Sequence, residues 1–346
     1  MDHLWRNRVQ APPQHKGKEE QIMCGPILTG NVDKDKIAAL SATYRTVSRS
    51  PFGEGDEIGM VNLMDANSIQ QVMGEADYGK VFDLAVDYFI NMPSWTGAGD
   101  PPFQIWMSHT PSGTIVDDPM EVGRAHNELV SYSGDCITMY THCGTHMDTL
   151  NHFGYHGTIW NNFTEQDHLG GRHWDVAGAE KYPPIIARGV LIDIAALHNV
   201  PMLPENYAIG EGDLRAALER QGTELRPGDV VMVRTGRMTV WPDVEAYVRN
   251  EPGINREGAE FLAKAGAMII GGDNLALEQM PGTDPENWQV VHTYLFAEAG
   301  VPIMEVVNLE ELASEKIYDF AFIGACLRIR GATGTPMRPI AMPLRH

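Results

Sequence analysis

Cysteine is scarce in this 346-residue sequence. The four that occur, Cys24, Cys136, Cys143 and Cys326, are widely spaced and form no CxxC pair. A disulfide framework is therefore not expected, and a reducing cytoplasm suits the chain better. Positive charge is also short: 26 Lys and Arg stand against 46 Asp and Glu, for a formal charge of −20. Such an acidic surface argues against nucleic acid or anionic lipid as a partner. An anionic small substrate would need local positive charge, from a metal or an arginine. No stretch approaches the ~20 apolar residues of a membrane helix, and residues 1–23 lack an apolar signal core, so a cytoplasmic protein is expected. No G-x-S-x-G elbow exists, and Ser94, Ser131 and Ser133 have no such context, which argues against a serine nucleophile. Gly331-Ala332-Thr333-Gly334-Thr335-Pro336 is glycine-rich but lacks the Gly-Lys-Ser/Thr ending of a phosphate loop, and a turn is expected there.

What the chain does have is concentrated between Tyr140 and Phe153. His142, His146, Asp148 and His152 follow the spacing His-x3-His-x-Asp-x3-His, with no Lys or Arg among them to neutralise the aspartate. All four side chains bind metals or move protons. Cys136–Tyr140 just before them is rich in strand formers. The four positions are even numbers of residues apart, so on a strand they share one face. On a helix, at about 100° per residue, Asp148 would point away from the pair His142 and His146. The motif therefore reads as a strand running into a loop, with four polar groups converging on a metal. Gly144 shares that face and is expected to leave room for an ion or substrate, while Cys143 falls on the opposite face as a small buried residue.

The rest of the chain interleaves helix and strand signals. Helices are expected over 65–74, with Asp65 as cap, over 212–220, ended by Gly222, and over 256–265, capped by Asn255. Strands are expected over 81–86, 189–195, 230–234, 267–270 and 320–329. Residues 292–299 read as mixed or helical and 301–305 as short and extended. The Gly-, Asn- and Trp-rich stretch 154–184 is too long for a plain connection and is expected to wall the site. This is an α/β pattern in a single domain, with a mixed rather than purely parallel sheet. Residues 1–36 read as an N-terminal arm and 37–346 as the domain.

Some further polar residues sit where strand ends commonly build sites. Arg234 follows a buried strand and is a candidate either for binding a substrate carboxylate or for pairing with some of the surplus acids. Asp273, Asn274 and Glu278 follow another and are candidates to support the site. Asp167, His168 and His173 read as structural or as outer support of the site, and His156 likewise.

The motif from His142 to Phe153 resembles the signature of the metal-dependent cyclase-like hydrolases, a group that includes bacterial kynurenine formamidase, isatin hydrolase and a metal-dependent trans-dienelactone hydrolase. Met92–Phe103, Pro227–Val231, Arg234–Gly236, Gly272–Asn274, His292–Leu295 and Gly300–Glu305 are similar to other segments of that family. The resemblance implies a swivelling β/β/α fold and a homodimer or homotetramer. It implies that His142, His146 and Asp148 hold one divalent ion, Zn2+ or Mn2+. Asp148 would bridge to a second, completed by His292 and Glu305. His152 would be the acid/base and Trp95 would line the pocket. The implied reaction is the opening of an amide or lactone by metal-activated water, with a non-catalytic metal-dependent binding protein as the alternative of another class. Leu150 stands where the family commonly carries proline, and Gly55–Gly59 and Gly331–Pro336 resemble the family's longer branch. Those departures shift the expected substrate from N-formylkynurenine toward a dienelactone or another cyclic compound.

Overall fold

The computed structural model describes residues 45–345, so the expected arm at 1–36 and Cys24 lie outside the described residues. Nine strands form one large sheet: β1 (Phe82–Asp83), β2 (His146–Asp148), β3 (Ile185–Asp193), β4 (Val230–Arg234), β5 (Ile269–Gly272), β6 (Ile303–Glu305), β7 (Asp319–Gly324), β8 (Gly334–Pro336) and β9 (Ile340–Pro343). Their spatial order is β1-β9-β7-β3-β4-β5-β6-β2-β8. The centre, from β3 through β6, is parallel, and both flanks are antiparallel. This is the mixed sheet of an α/β domain.

The parallel centre is covered on both faces, which its sequence anticipates. All five residues of β4 are buried, as are all four of β5, matching the continuous apolar runs typical of such strands. Helices α1 (Ala66–Glu75), α2 (Glu211–Gln221) and α3 (Arg256–Lys264) carry the caps that the sequence displays. Asp65 accepts from the Ser68 amide and Asn255 from the Gly258 amide. Gly222 ends α2 in the left-handed region. On α3, Gly258, Ala259, Leu262 and Ala263 are buried, a stripe at helical spacing that faces the core.

Several boundaries differ from expectation. The helix expected to stop at Gly74 runs to Glu75, β1 has only two residues, and β3 starts four residues earlier than expected. The expected long strand 320–329 ends at Gly324. Beyond it the chain loops until Gly334–Pro336, expected as a turn, pairs as β8 alongside β2. Cys136–Tyr140 does not extend the sheet. Gly134–Thr138 instead pairs antiparallel with Gln104–His109 in a separate ribbon. Stretch 154–184 folds around a small ribbon, Thr158–Ile159 with Phe163–Thr164, and the fully buried Trp160, whose Nε1 donates to Asp56 at 3.0 Å. Among the described residues no helix is long and apolar enough to cross a membrane.

Behind the end of β5 lies a buried acid. Glu251 is 0% exposed. Its Oε2 accepts from the amides of Leu275, at 2.6 Å, and Ala276, at 3.3 Å, while Oε1 has no hydrogen-bond partner. Burial pushes its carboxyl up to about 8. A carboxyl raised on folding binds a proton that the unfolded chain releases near pH 4.5, so its stabilising contribution is complete below that pH and is lost as pH rises toward 8. The scale is on the order of a few kcal/mol. Thermal unfolding of Glu251→Gln should therefore show a flatter fall of Tm between pH 5.5 and 8 than the wild type. Parallel curves for the two proteins would mean that Glu251 does not carry the proton.

Candidate metal centre

Register builds the centre. His146 and Asp148 alternate with Met147 on β2, so their side chains share a face. β6 pairs antiparallel with β2, which sets Glu305 directly opposite His146, and β8 on the other side sets Gly334 opposite Asp148. Glu305 Oε2 thus lies 3.2 Å from His146 Nε2. His292 comes from a helical turn, Val290–Thr293, that continues into a π-helix, Tyr294–Ala299. Its Nε2 lies 3.3 Å from Glu305 Oε1.

His142 and His152 arrive by turns and not by strand alternation, which corrects the reading of one continuous strand face. Gly144, at φ +60°, breaks the strand ahead of His146 and folds His142 back over it. A Cβ at Gly144 would meet the Tyr88 ring at 2.5 Å, so an aromatic ring fills the space expected for an ion. The glycine that makes room in the centre is Gly334, where a Cβ would stand 2.5 Å from the His142 ring. His142 Nδ1 lies 2.6 Å from Asp148 Oδ1, and its Nε2 lies 2.9 Å from Thr333 Oγ1. A turn closed by the His152 amide donating to Thr149 O at 3.0 Å brings His152 under the cluster. Its ring stacks on His142 at 3.9 Å, with Nε2 3.6 Å from Asp148 Oδ2. Cys143 is buried on the far side, as expected.

These contacts bring together two triads of donor atoms, His142–His146–Asp148 and Asp148–His292–Glu305, each within 4.8 Å. Asp148 belongs to both. The residues fit a divalent cation on three grounds. His146 Nε2, Asp148 Oδ2 and Glu305 Oε1 are buried without a hydrogen-bond partner, a costly arrangement unless something else satisfies them. Among the described residues, only histidines lie within ion-pair distance of Asp148 and Glu305. The outer nitrogens of two histidines are already engaged: His146 Nδ1 with Gly144 O at 2.8 Å and His292 Nδ1 with Glu278 Oε1 at 2.5 Å. With Nδ1 protonated, each offers an Nε2 lone pair inward, the usual support of a metal-binding histidine.

The electrostatics agree. Burial opposes charge on His146, but Asp148 and Glu305 outweigh it and raise the imidazole to about 10. Burial likewise opposes charge on His292, and Glu278 and Glu305 raise it to about 10. Burial would raise Asp148, yet His142, His146 and His152 hold it well below the usual carboxylate range. A cluster that draws protons this strongly carries excess negative charge that a cation would neutralise. His152 behaves in the opposite way: burial and the neighbouring His142 hold it well below the ordinary imidazole value.

The other sequence candidates fall elsewhere. The Arg234 guanidinium donates to Asp193 at 2.9 Å, to Glu310 at 2.9 and 2.8 Å and to Pro201 O. That replaces the expected carboxylate clamp with a tie between strand ends. Asp273 accepts from Thr235 N, Thr235 Oγ1 and Gly236 N at 2.7 to 2.8 Å, and Asn274 donates to Pro252 O at 2.9 Å. Asp273 braces the loop at Thr235, and Asn274 ties back to Pro252 while its Oδ1 has no hydrogen-bond partner. Glu278 does support the centre, through His292. Trp95 is half-buried in a cluster with Val86, Tyr247 and Val306, the residue after Glu305. His173 and Asp167 make local contacts, with Trp174 O and Thr164. Thr333 was missed because its stretch read as a plain turn. Phe153 and Phe296 were missed as well; they stack 6.3 Å apart and both edge onto His152.

Fold and centre together define an α/β protein of cyclase type with a buried His-carboxylate metal centre. The chain belongs to the cyclase family: the family model described as "Putative cyclase" matches residues 82–279, more than half of it. It is 25% identical to a kynurenine formamidase of Bacillus cereus (strain ATCC 10987 / NRS 248), over 69% of this chain and 91% of that protein. A crystal structure of a novel cyclase superposes with a TM-score of 0.75 at 27% identity, covering 86% of this chain and 97% of that one. Isatin hydrolase A from Ralstonia solanacearum shares the fold, with a TM-score of 0.59 at 20% identity over 76% of this chain and 92% of its own.

The pairing of Glu278 with His292 generates a test. Glu278→Ala should weaken divalent-cation binding at the triad that contains His292 about 10–100-fold, read by competition with a chromogenic chelator. Unchanged affinity and stoichiometry would reduce Glu278 to a loop brace.

Proposed function

We propose that this chain is a divalent-metal-dependent hydrolase that opens an acyl C–N or C–O bond of a small substrate. The observation that carries the reading is the set of three buried, unpartnered donor atoms on His146, Asp148 and Glu305, at the centre of the histidine cluster. His142, His146 and Asp148 would hold one ion, and His292 and Glu305, sharing Asp148, a second. Mixed nitrogen and carboxylate donors suit Zn2+ or Mn2+. When bound, such an ion lowers the pKa of a water toward about 7 and polarises a carbonyl oxygen.

The chain's own chemistry centres on His152. Burial and the neighbouring His142 favour its neutral form, and the ring, 17% exposed, is fixed by stacking on His142. It can take a proton from the attacking water and return it to the leaving atom. That return matters most at nitrogen, because an amine leaves poorly without a proton and an enolate leaves well. The likeness to a kynurenine formamidase supports an amide first among substrates and a lactone second. Phe153, Phe296 and the exposed Trp288, 6.3 Å from Phe153, give one side of the centre an aromatic wall. A flat substrate can stack there while water is excluded. His152 stacks on His142 with its Nε2 3.6 Å from Asp148 Oδ2, where a proton shuttle can serve and a site that only binds a ligand does not need one, which favours the catalytic reading.

His152→Ala should keep its metal and lose turnover on the order of 10²–10⁴-fold, and near-normal rates would remove His152 from the reaction. Chelation should abolish activity and added Zn2+ or Mn2+ should restore it. In water labelled with heavy oxygen, the new carboxylate should carry solvent oxygen. A product without the label would replace hydrolysis by an elimination.

A further inference from the structure

Residues 45–48 lie beside the aromatic wall. The Arg45 amide donates to Glu298 Oε1 at 3.1 Å and the Ser48 amide to Ala297 O at 2.8 Å, so this strap runs along the π-helix that carries Phe296. Glu298 is 0% exposed. It also accepts from the Arg256 guanidinium at 3.0 and 3.2 Å and from Tyr155 Oη at 2.8 Å. Tyr155 follows Phe153 by two residues, and Glu298 follows Phe296 by two. One buried carboxylate therefore fixes the chain segments behind both stacked phenylalanines.

Trp288, the third ring of that wall, is held differently. It sits on the irregular loop 282–289 and is 60% exposed. Within the loop, Asp284 accepts from the amides of Glu286 and Asn287 at 2.8 and 3.1 Å, a turn that an aspartate ahead of a proline favours. Asn287 ties the far end of the loop to Thr293 Oγ1 at 2.7 Å. The near end is tied by Arg45, whose Nη2 donates to Asp284 Oδ2 at 2.9 Å and whose Nη1 donates to Glu286 Oε2. Among the described residues, no other cation pairs with either acid. A guanidinium presents its donors in a rigid fork, so it can hold two carboxylates in one relative placement.

Taking that wall as the face where a flat substrate stacks, we propose that Arg45 is a positioning residue for substrate binding. It joins the loop, at Asp284 and Glu286, to the buried Glu298, and so sets the Trp288 ring against Phe153 as the outer face of the wall. A purely structural role is the alternative, and exposure argues against it. The side chains of Arg45, Asp284 and Glu286 are 29%, 22% and 72% exposed, and pairs this open to water contribute little to global stability. Keeping one loop in one placement asks less of them, and it spares the substrate the cost of ordering Trp288 on binding.

Arg45→Gln keeps the amide that meets Glu298 and removes the fork. In the metal-loaded full chain, hydrogen exchange of a peptide spanning 282–291 should quicken at least about fivefold, with peptides of β4 and the melting temperature unchanged. Anthranilate, a flat aromatic acid with no bond to hydrolyse, should bind about 2–10-fold more weakly by calorimetry. Trp288→Ala should lose as much, and the double variant no more than Trp288→Ala alone, because both act through one ring. Arg45→Lys, whose ammonium lacks the fork, should fall between Arg45→Gln and the wild type. On any flat amide that the wild type opens, the loss should appear in KM, with kcat within about twofold. Four results overturn the proposal: loop exchange unchanged in Arg45→Gln, additive losses in the double variant, a fall in kcat as large as that in kcat/KM, or a wild type that does not bind anthranilate. Exchange and binding need no turnover, so a chain that opens no amide would sink the proposed hydrolysis alone.

Discussion

Everything near the centre answers to one constraint: two carboxylates are buried together with no lysine or arginine to balance them. Asp148 is 1% exposed and Glu305 4%. Taking such charge out of water costs several kcal/mol per group unless it is paired. The fold answers with histidines, His142 and His146 and His152 on Asp148, His146 and His292 on Glu305. Histidines balance carboxylates only while they hold protons, and the inward-facing nitrogens then give up the lone pairs that would bind an ion. Protons and cation thus compete for the same atoms. Three of those atoms remain without hydrogen bonds, which places the cluster closer to a metal cage than to an ion-pair network.

The same constraint explains the odd local geometry. Two histidines must approach from outside the strand that carries the aspartate. Gly144 supplies one reversal, with a left-handed φ that other residues adopt only under strain. Gly334 supplies the empty side of a strand against which the His142 ring can lie. Behind the centre, Thr145 Oγ1 donates to Val306 O at 2.6 Å and accepts from Val86 N at 2.9 Å, clamping β2 to the chain that follows β6. A slip of one residue in the β2–β6 pairing would turn Glu305 away from His146. The antiparallel flank of the sheet is therefore as much a part of the site as the side chains.

How much of this the sequence displays depends on how local the cause is. Asn255 and Asp65 act within three residues, and both caps are legible. β4 reads directly, because a strand covered on both faces must be apolar along its whole length. The convergence of His142, His146, Asp148 and His152 is legible from their density, though strand alternation accounts only for His146 and Asp148. His292 and Glu305 stand more than a hundred residues away, and neither has a local signature. Sheet register brings them in, and only likeness to a family pointed to them. Arg234, Asp273 and Asn274 show the converse. At strand ends their residue types suggested a site, but partners from distant segments take up the Arg234 guanidinium, both Asp273 oxygens and the Asn274 amide nitrogen, leaving the Asn274 Oδ1 without a hydrogen bond.

That contrast is sharpest between two buried aspartates, Asp273 and Asp148. Asp273 and Asp148 are equally buried, lie at the ends of neighbouring parts of one sheet, and are both single carboxylates on a chain rich in acids. Three donors at 2.7 to 2.8 Å meet the Asp273 oxygens, and burial still raises its carboxyl to about 6. Asp148 has one oxygen against His142 and the other bare, and its carboxyl is nevertheless driven down by the imidazoles around it. Asp273 is satisfied in its geometry although burial opposes its charge. Asp148 is held charged by the imidazoles around it and keeps an oxygen without a hydrogen bond, which leaves that oxygen for what binds there.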